Sequence, residues 1–121
     1  MEDKSLNRAK GIVGENEAEV FLQSKGFKII EKNWSMGKLE VDLIGTIGKY
    51  IVFVEVKTRS SAAYGDPLES ISATKLHRIQ RLALAWLAMH QRLGWPYRID
   101  VAGILLGRSG EITLDYRIGI S

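Results

Sequence analysis

Residues 39–57 read LEVDLIGTIGKYIVFVEVK, two β-like runs that carry charged residues among aliphatic ones. Leu39 to Ile44 and Lys49 to Thr58 are expected strands. Side chains alternate along a strand, so Glu40 and Asp42 share one face, and Glu55 and Lys57 share one face of the next. In the second run Ile51 and Phe53 alternate with Val52, Val54 and Val56, the pattern of a strand buried on both sides and therefore central in its sheet. Charges at the end of such a strand cost free energy unless each has a partner, because an isolated buried carboxylate takes up a proton rather than stay ionised. The pattern leaves two explanations open. Either a metal ion or charged substrate partners Glu55 and Lys57, or the strand has emerged into water by Glu55.

The two runs form a hairpin through Gly45 to Gly48. With its loop centred near Ile47 and Gly48, Asp42 falls opposite Phe53, one same-face step from Glu55. Such diagonal neighbours lie about 7 Å apart, too wide to share one ion unless a bulge draws them together. Upstream, Leu6 to Lys25 reads as a helix ended by Gly26, and Phe27 to Trp34 as a strand followed by a turn at Ser35 to Lys38. Gly11, Glu15, Ala18 and Leu22 follow helical spacing, which puts Glu15 on the inward stripe or its boundary. Gly11 and Gly14 each cost about 1 kcal/mol of helix stability relative to alanine, which suggests close approach by another element.

Downstream, the polar loop TRSSAAYGDP is the expected mobile segment. A second helix runs from Ser70 or Ser72 to Arg92, with Leu76, Ile79, Ala83, Trp86 and Leu87 as its apolar stripe and Gly94 ending it. Lys75, Arg78 and Arg81 project from its first half, Lys75 at the border of the stripe. His77 and His90 lack His or Cys partners at metal spacing and read as surface or boundary residues. Tyr97 to Leu105 and Glu111 to Arg117 read as two more strands, the first parallel to the strand before the helix. The element order α, β, β, β, α, β, β predicts an α/β fold, a mixed β-sheet flanked by helices.

A chain of 121 residues fits a single domain over 1–121, with 45% hydrophobic and 26% charged residues as in an ordinary globular protein. It contains no cysteine, which excludes disulfides and thiolate metal sites. The opening MEDKSLNRAK has no apolar signal-like core behind it, and no apolar run is long enough to span a bilayer. A cytoplasmic protein without membrane contact is the expectation. The net charge of +3 is unevenly placed: residues 1–50 are balanced, whereas residues 57–98 hold seven basic residues against Asp66 and Glu69. That concentration suits an anionic partner such as nucleic acid, or a solvated basic helix.

Asp42, Glu55 and Lys57 form a D-x12-E-x-K pattern across two adjacent strands, preceded by a helix bearing Glu15. This resembles the PD-(D/E)-x-K nuclease superfamily, whose restriction-endonuclease-like core has the order αβββαβ. Within it the chain looks like the YraN-like family of bacterial endonuclease-like proteins, related to Holliday-junction resolvases. The resemblance covers nearly the whole chain. It rests on Gly11-x-x-Gly-Glu15, Glu40-x-Asp-Leu-Ile44, Phe53-Val-Glu-Val-Lys-x-Arg59, Tyr64-Gly65 before Pro67, Lys75, and Arg98-x-Asp100. An isolated E-x-K carries little weight, but this combination is specific. Two positions depart from the family pattern: Leu39 stands where glycine usually precedes Glu40, and Ile99 replaces an aromatic residue.

The resemblance implies a Mg²⁺- or Mn²⁺-dependent endonuclease that hydrolyses phosphodiester bonds in DNA, with branched or repair intermediates as substrates. Hard carboxylate oxygens suit Mg²⁺, which keeps several waters and binds phosphate as well. Asp42 and Glu55 are the implied primary ligands, joined by the carbonyl of Val56, with Glu15 an outer or second-metal ligand. Lys57 is implied to position or activate the attacking water. Lys75 is an implied phosphate-facing auxiliary, and Arg59, Arg78 and Arg81 hold the nucleic-acid backbone without reading sequence. A two-fold homodimer follows from the need to cut two strands, with the Tyr97 to Arg117 strands as one interface. The competing readings are a non-catalytic or weakly catalytic nucleic-acid-binding accessory protein on the same fold, and a structural partner of a larger complex.

Overall fold

Ile51, Val52, Phe53 and Val54 are all at most 1% exposed. The computed structural model explains why: their strand has a neighbour on each edge and a helix over each face. Residues 4–60 and 66–120 are described. The expected mobile loop, with Tyr64 and Gly65, therefore lies largely outside the described residues. The elements are α1 (Lys4–Ser24), β1 (Lys28–Met36), β2 (Leu39–Ile47), β3 (Tyr50–Arg59), α2 (Ala73–Met89), β4 (Tyr97–Leu106) and β5 (Ile112–Arg117), with a 3₁₀ turn at Pro67–Ser70.

The five strands form one mixed sheet in the order β1-β2-β3-β4-β5. β3 and β4 are parallel across the α2 crossover, and the other pairs are antiparallel. The fold is thus the α/β arrangement expected, with the order αβββαβ followed by one further strand. β4 has neighbours on both sides, so of the two strands proposed as an interface only β5 presents an edge. Ile51, Phe53 and Ile99 pack with Ile79, Ala83, Trp86 and Leu87 of α2. Val52, Val54 and Ala102 pack with Ala18 and Leu22 of α1. Alternation along β3 sends its side chains to two separate cores.

α1 ends as its sequence requires. Gly26 adopts φ +91°, donates its N–H to the Gln23 carbonyl, and lets Phe27 donate to Leu22, the two bonds of a Schellman cap. Gly14 permits the close approach inferred from its cost, since a Cβ there would collide with Thr58 of β3. A Cβ at Gly11 would meet nothing among the described residues, which give this glycine no packing reason. α2 stops earlier than expected. Gln91 takes the left-handed conformation, φ 57°, while Arg92 donates to the Leu87 carbonyl at 2.8 Å, and Gly94 serves only the following turn.

The β2–β3 hairpin turns at Gly48 and Lys49, one residue later than the loop centre expected from the sequence, with Ile47 paired to Tyr50. Gly45 is a strand residue whose missing side chain makes room for Phe27 and the Lys28 carbonyl. The register consequently moves: Leu43 pairs with Val54, so Asp42 continues opposite Glu55 rather than Phe53. A second irregularity falls at the same place. Val41 belongs to the α2-side core and Leu43, two residues on, to the α1-side core. Regular alternation would put both on one face. The switch sits beside Asn33, whose φ of 51° bends β1 where its pairing with β2 skips Asp42.

Candidate functional site

Asp42 occupies the point where β2 and β3 part. The antiparallel ladder ends at Leu43 and Val54, while β3 stays paired with β4 as far as Arg59. In the gap Val56 donates its backbone N–H to Asp42 Oδ2 at 2.7 Å. A carboxylate thereby replaces the missing strand carbonyl and is fixed in direction. Val56 meets Asp42 through its N–H, so the carbonyl role implied for it gains no support from this contact.

Glu55 lies next to Asp42 and is 7% exposed. Lys57 and Lys75 approach its Oε1 at 3.9 and 3.8 Å, too far for hydrogen bonds. Its Oε2 is buried with no hydrogen-bond partner among the described residues. Burial first, and the Asp42 charge second, push Glu55 up to about 7 against the lowering pull of the two lysines. The Asp42 contact becomes a hydrogen bond only when Glu55 carries a proton, since two ionised carboxylates are both acceptors. Lys57 is held down to about 8, by burial first and then by Lys75 beside it. Asp42, Glu55 and Lys75 open into a cavity of about 520 Å³ between the sheet and the first turns of α2, whose lining does not include Lys57. Asp42, Glu55, Lys75 and Arg78 line it over an apolar floor of Ile79 and Leu82.

The remaining candidates divide. Glu15 reaches the edge of the site from α1 but does not line the cavity. The Asn33 amide, with its NH₂ turned toward them, donates to Glu15 Oε1 at 3.2 Å and Glu40 Oε1 at 3.1 Å. Burial, and then the charges of Asp42 and Glu40, raise the Glu15 pKa. Among the described residues no group of three His, Cys, Asp or Glu side chains is gathered closely enough to hold a metal ion. The structure therefore brings together Asp42 and Glu55 as a pair and leaves Glu15 outside it. Arg59 lies further along β3, where its charge adds to the depression of Lys57. Arg81 is exposed and outside the cavity lining.

Sequence reasoning missed Lys38 and Glu40 as cavity residues, and Asn33 as the clamp between Glu15 and Glu40. The available signal was Gly37-Lys38 between two strands, a hairpin tip one residue from Leu39. Asp100 proves structural. Fully buried, it accepts from Tyr116 Oη at 2.5 Å, Gly119 N at 2.9 Å and Arg98 Nε at 3.1 Å. Burial and that bond raise the Tyr116 pKa. His90 stacks on Trp86 at 3.9 Å and approaches Glu31 at 3.3 Å, which also accepts from Trp86 Nε1 at 3.0 Å.

Fold and site define an α/β protein that carries a carboxylate pair and two lysines at the split end of a mixed sheet. Residues 14–104 match the model of the uncharacterised protein family UPF0102, and the chain belongs to that family. A UPF0102 protein of Beutenbergia cavernae is 41% identical over 93% of this chain and 95% of the relative. One from Geotalea uraniireducens is 42% identical over 86% and 82%. Among solved structures, Pyrococcus furiosus SfsA in complex with Ca²⁺ is 18% identical with a TM-score of 0.45, covering 95% of this chain and 65% of that one. No helix among the described residues is long and apolar enough to cross a membrane.

Proposed function

We propose that the protein is a divalent-metal-dependent nuclease of the PD-(D/E)-x-K type that hydrolyses phosphodiester bonds in DNA. The observation that carries the reading is Glu55 Oε2, a buried carboxylate oxygen without a hydrogen-bond partner among the described residues, on a side chain that lines a cavity together with Asp42. An oxygen in that condition is costly unless a cation completes it. Two hard oxygen donors fit Mg²⁺ or Mn²⁺, which needs only one or two protein carboxylates when water and substrate phosphate supply the rest. A cation held by Asp42 and Glu55 supplies positive charge against the phosphoryl oxygens and acidifies water.

The chain's own residues do the rest. Val56 N–H orients Asp42 from behind. Lys57 Nζ, with its depressed pKa, is neutral in a useful fraction of molecules near pH 8 and takes the proton of the attacking water. Water adds to phosphorus as the bond to the leaving ester oxygen breaks. Lys75 and Arg78 face the phosphate from α2. Glu15, held by Asn33, acts outside the pair. Arg59 and Arg81 extend the basic surface along the backbone of the strand.

The test is cleavage of linear, nicked, flap and four-way DNA with Mg²⁺ or Mn²⁺, against EDTA and against Asp42→Ala. Metal-dependent cleavage lost in Asp42→Ala is the expected result, and cleavage that persists in the variant overturns the assignment. One observation favours a second reading, a binding module with little or no turnover: among the described residues only two carboxylates converge, and one oxygen of Asp42 is already engaged. Steeply salt-dependent DNA binding that survives EDTA, without cleavage of any substrate, selects it.

A further inference from the structure

α1 has two apolar faces. One builds the core, where Gly14, Ala18 and Leu22 are buried against the sheet. The other points away from the protein. Val13 is 40% exposed, Ile12 52% and Val20 65%, and Ala9, Asn16 and Gln23 are exposed along the same side. A lone exposed valine is ordinary, but these positions are ordered. Ala9, Val13, Asn16, Val20 and Gln23 alternate steps of four and three residues, the a/d repeat of a helix that packs lengthwise against another helix. In that repeat Gly14, Ala18, Phe21 and Leu22 take b, c and f, the positions opposite the seam, and these are the ones turned to the sheet.

The charges beside the seam say what packs there. Lys10 and Glu17 take successive e positions on one flank. Among the described residues Lys10 bonds the Ser60 hydroxyl, at 3.2 Å, and no carboxylate, and Glu17 has no ion-pair partner. In two antiparallel helices e positions meet e positions. A second α1 laid with its Asn16 against Val13 therefore brings its Glu17 to Lys10, and two-fold symmetry makes the same pair again. A slip of one heptad either way sets Lys10 or Glu17 against itself, and a parallel pair sets Glu17 against Ile12. Glu19, on the other flank, is already held by Lys32 at 2.7 Å. Asn16 falls beside the two-fold axis, where a polar seam residue fixes alignment at some cost in affinity.

We infer that the outer face of α1 is a docking surface for a second copy of this chain, the two helices pairing antiparallel about an axis between Val13 and Asn16. The 21 residues of α1 span about 30 Å, and a helix contact is about 10 Å wide, so each copy buries about 300 Å². That is below the ~800 Å² per partner of stable complexes, and the dimer forms reversibly with a Kd of about 100 µM. Both cavities stay open, because they lie on the α2 side of the sheet. The contact needs neither metal nor cleavage activity, and stands or falls apart from the nuclease reading.

Sedimentation equilibrium of the full chain, from about 10 µM to about 1 mM, tests the contact. A monomer–dimer equilibrium weakened by salt is expected. Val20→Glu abolishes the dimer, Lys10→Glu and Glu17→Lys each weaken it about tenfold, and the double variant with both changes regains the wild-type Kd. Ile112→Glu, on the β5 edge, leaves the Kd unchanged, and circular dichroism establishes that each variant is folded. Orientation is read by disulfide trapping, since the chain has no cysteine of its own. Ala9→Cys mixed with Val20→Cys gives the mixed disulfide, and neither variant alone links to itself. The proposal is overturned by a chain that stays monomeric at about 1 mM, by a dimer indifferent to Val20→Glu, or by a double variant that is not restored. Self-linking of Ala9→Cys shows a parallel pair, and a dimer lost in Ile112→Glu places the contact on the sheet edge; either result also overturns it.

Discussion

Replacing Glu55 by Gln is expected to stabilise the metal-free protein while removing its response to metal. Glu55 is 7% exposed and its carboxyl is pushed from 4.5 to about 7. A raised carboxyl pKa means that the folded state binds the proton more tightly than the unfolded chain. Stability from this group is greatest below about pH 4.5 and is lost as pH rises toward 7, after which the loss is complete. At ~1.36 kcal/mol per unit the full cost approaches about 3 kcal/mol. Glutamine escapes that cost but deprives Lys57 and Lys75 of a counter-charge at 3.9 and 3.8 Å. The net gain at pH 8 is then about 1–2 kcal/mol, or roughly 4–8 °C for a chain of this size. The assay is thermal unfolding at pH 5 and pH 8, with EDTA or with Mg²⁺. Wild type gains about 2.7 kcal/mol when Mg²⁺ reaches a hundredfold excess over its Kd, and Glu55→Gln gains almost nothing. A variant less stable than wild type at pH 8 in EDTA, or one with an undiminished Mg²⁺ response, refutes the reasoning.

Two further substitutions probe the frame around the site. Gly14→Ala forces α1 away from Thr58, next to Lys57, and costs about 1–3 kcal/mol in urea unfolding; a neutral result means that the two elements do not touch in solution. Asp100→Asn strips the charge from a buried acceptor of Arg98, Tyr116 and Gly119 and costs about 3 kcal/mol, with any loss of activity following the loss of fold. A change below about 1 kcal/mol contradicts the structural role of Asp100.

Much of the fold was legible because single residue types dictated it. Alternating aliphatics marked β3 as central, Gly26 closed α1, and a long amphipathic helix between two strands implied that those strands run parallel. The errors arose where one local signal had two physical solutions. Gly45 and Gly48 both suit a turn, yet only Gly48 adopts positive φ, and Gly45 instead clears space for Phe27. That choice shifts the register by two and sets Asp42 opposite Glu55, so the acidic pair is tighter than the sequence suggested. Gly94 was the natural helix stop, but Gln91 took the left-handed position first. The pairing of Asn33 with Glu15 and Glu40 had no pattern to announce it, since it depends on a bend in β1 and a change of face in β2. Alternation read in one phase across Asp42 cannot anticipate a strand that changes phase there.

The bond from Val56 N–H to Asp42 gives one backbone amide a distinctive status. The ladder between β2 and β3 secures its amides by neighbouring carbonyls, whose acceptor strength does not vary with pH or salt. The proton of Val56 is secured by an ionisable group, so its exchange with solvent deuterium follows the occupancy and charge of the site rather than the opening of the sheet. The chain thus carries its own isotope-exchange reporter, one residue from Glu55, readable without a substrate.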